Sequence, residues 1–163
     1  MKYIIFMLSM LGFGHGLFAQ VGFNSLGVST GMSTANSKFF TLSYEGAGAN
    51  KLHLGVQLQG ILYSEFARHH YSFTSQTTYV SAGLFFTYNL ATTRNFLTNF
   101  RFGAAGGSDN SRFIWYPFGG FEQVIFVAPK TQLVFSEQVL YLFVKEDAFQ
   151  WQPSLNVGFK FSL

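Results

Sequence analysis

The stretch FQWQPSLNVGFKFSL, residues 149–163, decides the fold. Phe149, Trp151, Pro153, Leu155, Val157, Phe159, Phe161 and Leu163 take every second position. Between them stand Gln150, Gln152, Ser154, Asn156, Gly158, Lys160 and Ser162, none of them a large apolar residue. Successive side chains of a strand leave opposite faces. A period of two sustained this long therefore predicts a β-strand with one apolar face and one polar face.

The same period runs through the rest of the chain. Leu52, Leu54, Val56, Leu58 and Leu62 alternate with Lys51, His53, Gly55, Gln57 and Gln59. Val80, Ala82, Leu84, Phe86, Tyr88 and Leu90 alternate with Tyr79, Ser81, Gly83, Phe85, Thr87 and Asn89. Shorter versions surround Leu26, Val28 and Met32, then Phe40, Leu42 and Tyr44, then Phe96, Phe100, Phe102 and Ala104. Two further segments, 113–127 and 131–144, are strands by composition, but their alternation is blurred. In the first, Gly119-Gly120 reads as a bulge that shifts the phase. The choice between Phe121 and Glu122 for the inner face stays open. The total is eight strands.

Composition says where the apolar faces go. Hydrophobic residues make up 48% of the 163 positions and charged residues only 10%, against about 25% charged in soluble domains. Such a chain cannot cover itself with charge. It is also too hydrophobic to be disordered. It has no Cys, which excludes a disulfide framework, a thiol nucleophile and a Cys-based zinc site. Its net charge of +3 comes from scattered basic residues, and no direct nucleic-acid contact is predicted.

The N-terminus reads as an export signal over residues 1–19. Lys2 supplies the positive start, Tyr3 to Phe18 the apolar stretch, and Ala19 the small residue before the cut. Gly12, Gly14, His15 and Gly16 interrupt a run already shorter than the roughly 20 residues of a spanning helix. The exported domain is then 20–163. Beyond the signal, the longest apolar run is Val139 to Val144, again too short to span as a helix.

An exported chain with eight amphipathic strands and an apolar excess predicts an all-β fold: an eight-stranded antiparallel up-and-down transmembrane β-barrel in the outer membrane of a Gram-negative bacterium. The connections agree with that topology. The third, around 64–76, and the fifth, 105–112, are long or polar; the second, fourth and sixth are short. Long outer loops and short periplasmic turns are the membrane-barrel arrangement. Tyr44, Tyr88, Phe149, Trp151 and Phe161 stand at strand ends on the apolar face, as in an interfacial girdle. Phe85 and Tyr79 fall on the polar face, either near its ends or filling the interior. Eight strands enclose an interior just wide enough for side chains to fill, so no diffusive pore is expected.

The tail carries a second signal. Gly158, Phe159, Phe161 and Leu163 resemble the C-terminal β-signal read by barrel-assembly machinery, with Leu163 where an aromatic residue is usual. The tail also resembles the end of the conjugative-transposon TraO family, exported proteins of Bacteroidota that close on a pattern like R-P-S-x-G-x-G-[LI]-[RK]-F-x-F. Pro153, Ser154, Gly158, Lys160 and Phe161 match; Gln152, Asn156 and Leu163 stand where Arg, Gly and Phe are usual. The segment YVSAGLFFTYNL (79–90) is similar to that family's central strand, and Gly119-Gly120-Phe121-Glu122 to its G-x-E region. The resemblance implies an outer-membrane structural component of a conjugative transfer apparatus with no enzymatic activity assigned. Its partners would be outer-membrane lipid, the assembly machinery and other transfer proteins. A general adhesion or stability barrel, or a lipid-modifying barrel enzyme, are the alternative functions.

Candidate chemistry is sparse. His69 and His70 are adjacent, so an extended backbone would point them to opposite sides, and no third metal ligand accompanies them. No nucleophile–base–orienter set emerges. The sequence therefore assigns no catalytic residue, cofactor or metal. Lys51, His53, Arg101, Glu122, Glu137 and Lys160 are instead expected to form a polar network in the lumen, where buried charge survives only when paired. Glu65, Arg68, His69, His70, Asp109, Asn110, Arg112, Lys145, Glu146 and Asp147 read as solvated loop residues available to a partner.

Overall fold

Strands with one apolar face can hide it against a second layer or turn it toward lipid. The computed structural model shows the second solution. It describes residues 24–33, 37–46, 51–64, 76–108, 113–141 and 151–163. They form β1 (Ser25–Ser33), β2 (Lys38–Gly46), β3 (Leu52–Ser64), β4 (Gln76–Thr92), β5 (Phe96–Ser108), β6 (Phe113–Ala128), β7 (Thr131–Tyr141) and β8 (Trp151–Ser162). Each pairs antiparallel with the next, and β8 returns to β1 from Ser25↔Ser162 to Ser33↔Ser154, closing the barrel. Closure leaves no sheet edge, which a strand structure surrounded by hydrocarbon requires.

The register fixes the geometry. Stepping across partners from Ser25 through Glu45, Gly55, Phe85, Gly103, Phe118 and Leu140 leads to Gln152. Gln152 lies two residues past Ser154, the partner of Ser33, so one circuit climbs ten residues along β1. A stagger of that kind tilts strands by about 35–45° and sets the radius of a narrow barrel. Asn24, Leu163 and the connections at Lys51, 93–95 and Pro129-Lys130 lie at one end, the short-turn end; the other is the loop end.

Exposure is inverted relative to a water-soluble domain. Leu54, Leu58, Leu84 and Val80 stand 52–62% exposed, while Gln57, Ser81, Arg101 and Lys160 are buried. Tyr44, Tyr88, Trp151 and Phe161 of the expected girdle all face outward; Phe149 lies outside the described residues. An outer ribbon of rings crosses three strands, Phe86–Phe102–Phe100–Phe121, at centroid spacings of 5.5–5.7 Å.

Two sequence expectations about the strands need correction. Gly119-Gly120 is no bulge: β6 pairs without a break from Phe113 to Ile125, and the irregularity falls at Phe126/Ala128. The phase is thereby fixed with Glu122 inward and Phe121 outward. The fifth connection is also shorter than read, because Ala105 to Ser108 continue β5. Phe85 and Tyr79 fill the interior at 0% and 2% exposure.

Leu58, 55% exposed in the middle of β3, separates a lipid-facing wall from a water-facing one. Leu58→Arg should destabilise the folded protein in phospholipid vesicles by about 2–4 kcal/mol, the cost of a cation at the lipid midplane. Denaturant unfolding followed by tryptophan fluorescence would check this; a neutral substitution would mean the wall meets water.

Candidate functional site

The lumen is the site that the fold encloses, and it has two layers. Its lower layer, toward the short-turn end, is ionic. Lys160 on β8 reaches Glu45 Oε2 on β2 at 2.8 Å and Glu122 Oε1 on β6 at 2.6 Å. Arg101 on β5 approaches Glu122 Oε2 at 3.5 Å and donates to Gln57 Oε1 at 2.8 Å. Asn99 Nδ2 donates to Glu122 Oε1 at 3.0 Å. Two cations thus meet two carboxylates, all buried; Gln57 and Asn99 add amide bonds, while Arg101 Nε and Glu122 Oε2 make no hydrogen bond. A charge taken out of water is tolerated under those conditions and few others.

The upper layer is apolar. Phe39, Ile61, Tyr79, Ala105, Tyr116, Phe118 and Leu140 form one buried cluster with Phe85, drawn from the loop-end halves of β2 to β7. Its hydroxyls are satisfied from within. Tyr116 donates to Gln59 Oε1 at 2.7 Å and lies 2.6 Å from Ser81 Oγ. Tyr79 donates to the Gly107 carbonyl at 2.9 Å. The two layers join at Phe85, whose ring lies under the Arg101 guanidinium, 3.6 Å from Cζ to centroid. That stacking uses the ring's negative face. It also requires Gly55 across the strand pair, since a Cβ there would run into the Phe85 ring.

Of the residues expected in the network, the structure brings together Arg101, Glu122 and Lys160. His53 faces inward at the short-turn mouth, half-buried and opposite Thr87, but is not bonded to the network. Lys51 does not belong to it. It is exposed in the turn before β3, in the left-handed backbone region at φ 70°, and has left the alternation. Glu137 does not belong either. On β7 the inward residues are Val134, Ser136, Gln138 and Leu140, so Glu137 faces outward with Phe135 and Val139. A Glu on the lipid face costs less than the roughly 2–4 kcal/mol of Lys or Arg at the midplane, but it still costs.

The sequence reading missed Glu45 as a network member. The available signal was its alternation with Tyr44 on β2, which places it inward beside Ser43. Gly158, in the expected β-signal, also faces inward; a Cβ there would meet the Val28 carbonyl and the Ser29 side chain. Phe159, Phe161 and Leu163 are exposed. Glu65, Arg68, His69, His70, Asp109, Asn110, Arg112, Lys145, Glu146, Asp147 and the export signal lie outside the described residues. Among the described residues no cluster of metal-ligating side chains occurs.

Comparison with protein-family models and with curated proteins finds no match. Solved structures do match in fold. A de novo designed transmembrane β-barrel aligns with TM-score 0.62 at 15% identity, over 90% of this chain and 100% of its own. The N-terminal β-barrel domain of Pseudomonas aeruginosa OprF aligns with TM-score 0.58 at 14% identity, over 85% and 96%. Neisserial surface protein A aligns with TM-score 0.56 at 12% identity, over 86% and 94%. At these identities the likeness is one of fold: this chain has the architecture of eight-stranded membrane barrels.

Lys160 is the cation that two buried carboxylates share. Lys160→Met should therefore destabilise the barrel by about 3–5 kcal/mol, because Glu45 and Glu122 lose their common partner. The double variant Lys160→Met/Glu122→Gln restores the charge balance and should regain part of that loss. Denaturant midpoints in vesicles measure both.

Proposed function

We propose that the protein is a non-enzymatic outer-membrane barrel that acts as a structural component of a conjugative transfer apparatus. The observation that carries the structural half of this reading is the filled lumen. A neutralised ion layer and an apolar layer with satisfied hydroxyls occupy the space that a conduit would need. A cylinder so filled offers other molecules its outer wall and its rims. Exposed loops on a rigid barrel accept sequence change at little structural cost and are the natural docking elements. Barrel-assembly machinery would insert it, with Phe159, Phe161 and Leu163 available on the outer face of the last strand.

The conjugation half rests on the tail. Pro153, Ser154, Gly158, Lys160 and Phe161 support it as a pattern, and Gly158 and Lys160 have structural reasons for being there. Pairing with Glu45 and Glu122 ties Lys160 to the ion layer, so part of this pattern reports barrel construction; the rest supports membership of the apparatus.

Two measurements test the reading. Purified protein in planar bilayers should give no stepwise conductance at moderate voltage; steady channel openings would refute the filled-lumen function. Deletion of the gene from a donor strain should lower transfer frequency by at least about ten-fold, with complementation restoring it. Unchanged transfer, with a leaky or poorly adhering envelope, would replace the apparatus role with general adhesion or stability.

A further inference from the structure

The outer wall carries one carboxylate that the barrel does not use. Among the described residues, Glu45 and Glu122 face the lumen and Glu137 alone faces out. It sits in the middle of β7, its cross-strand partners are Phe121 and Leu155, and it makes no ion pair among the described residues. An ionisable side chain at that depth marks a contact more often than a bare lipid face.

The contact's other half is on the same wall. Thr30 on β1 is the neighbouring exposed hydroxyl, two strands away across β8. Its row of partners runs Thr30↔Val157↔Phe135. Rows climb toward the loop end from β1 round to β8, ten residues per circuit of eight strands, or a little over one residue per strand. Crossing two strands backward through the β1–β8 seam therefore descends by two to three residues. The position on β7 level with Thr30 is thus two to three residues past Phe135, which is Glu137. A recess of about 760 Å³ opens on this face, with Thr30, Met32, Phe135, Glu137 and Leu155 along it and the exposed Lys38 three strands from Glu137 in the same row.

We propose that a second copy of this chain covers this wall, around a two-fold axis parallel to the membrane normal beside Leu155 and Val157. Rotation about that axis preserves depth and lays β7 of one copy opposite β1 of the other. Because Glu137 and Thr30 are level, each carboxyl then faces a hydroxyl of the second copy, twice per dimer. A carboxylate only accepts, so Thr30 Oγ1, which donates its one hydrogen to the Phe39 carbonyl at 3.0 Å in the single chain, turns that hydrogen to Glu137 in the dimer. The two Glu137 side chains stay on opposite sides of the axis, so like charges do not meet. Such an interface is isologous, the form closed dimers take. This dimer rests on the barrel lying in a membrane, not on the conjugation role.

The chain has no Cys, so introduced pairs report cleanly. Thr30→Cys/Glu137→Cys, reconstituted in phosphatidylcholine vesicles and oxidised, should give a disulfide-linked dimer on non-reducing gels. Leu58→Cys/Val80→Cys, on the opposite wall, should remain monomeric. Val157→Cys, beside the axis, should cross-link to its own counterpart and serves if the double variant misfolds. Glu137→Leu should keep the heat-dependent gel shift of a folded barrel while raising the dimer dissociation constant in detergent about ten-fold, as the loss of two intramembrane contacts per dimer predicts. A monomer by light scattering in vesicle-matched detergent with no cross-link at Thr30/Glu137 or Val157 would overturn the proposal. Equal cross-linking on both walls, or cross-linking in cells to a different protein through this wall, would overturn it too.

Discussion

Everything in this molecule follows from one constraint: backbone N–H and C=O groups in hydrocarbon have no water to bond. Strands meet it only by closing, and here β1 pairs with β8 over Ser25 to Ser33 to finish the ladder. Closure at eight strands with a ten-residue stagger fixes the radius. The radius in turn fixes how much side chain the interior holds. What goes inside is therefore not free to follow function alone; it must first fill a narrow cylinder without leaving buried charge unpaired.

The chain solves that packing problem in layers. Bulk comes from Phe85, Tyr116, Phe118 and their neighbours at the loop end, accommodated by small residues such as Gly55 across from a ring. Charge comes from Glu45, Arg101, Glu122 and Lys160 nearer the short-turn end. Lys160 ties the last strand to β2 and β6, across the barrel in space and 115 and 38 residues away in sequence. An ion layer of this kind contributes little net stability compared with an apolar isostere, because desolvation offsets attraction. Its geometric demand is strict, however: one register of β8 brings Lys160 to both carboxylates. A slip by one residue would turn Lys160 to the lipid. The layer thus argues for the register as much as for the fold.

That distinction explains what the sequence discloses. The outer face is legible because lipid accepts only apolar side chains over most of it, so β2, β3, β4 and β8 alternate cleanly. The interior is legible only where it is polar. In β6 and β7 the inner face holds Phe118 and Leu140 of the apolar layer and, nearer the short-turn end, Val124 and Val134, so the contrast between faces disappears. Glu137 is misplaced by the alternation for that reason, since Ser136, Glu137 and Gln138 are all polar. Lys51 is misplaced because a turn residue with positive φ obeys no strand period. Glu45 is hidden differently. Its face is readable, but which inward residues share a level depends on the stagger, a property of the closed circuit and not of any one strand.

Inside and outside therefore treat charge in opposite ways. Every carboxylate described in the lumen has a cation within 4 Å, so charge in the interior is balanced as it stands. On the wall, Glu137 has apolar neighbours on both adjoining strands, and the cation of its row, Lys38, stands three strands away without pairing to it. A residue whose cost is cancelled within the fold explains the fold. A residue whose cost the isolated fold leaves standing points beyond it, because substitution by Leu would suit the lipid better and disturb no packing inside.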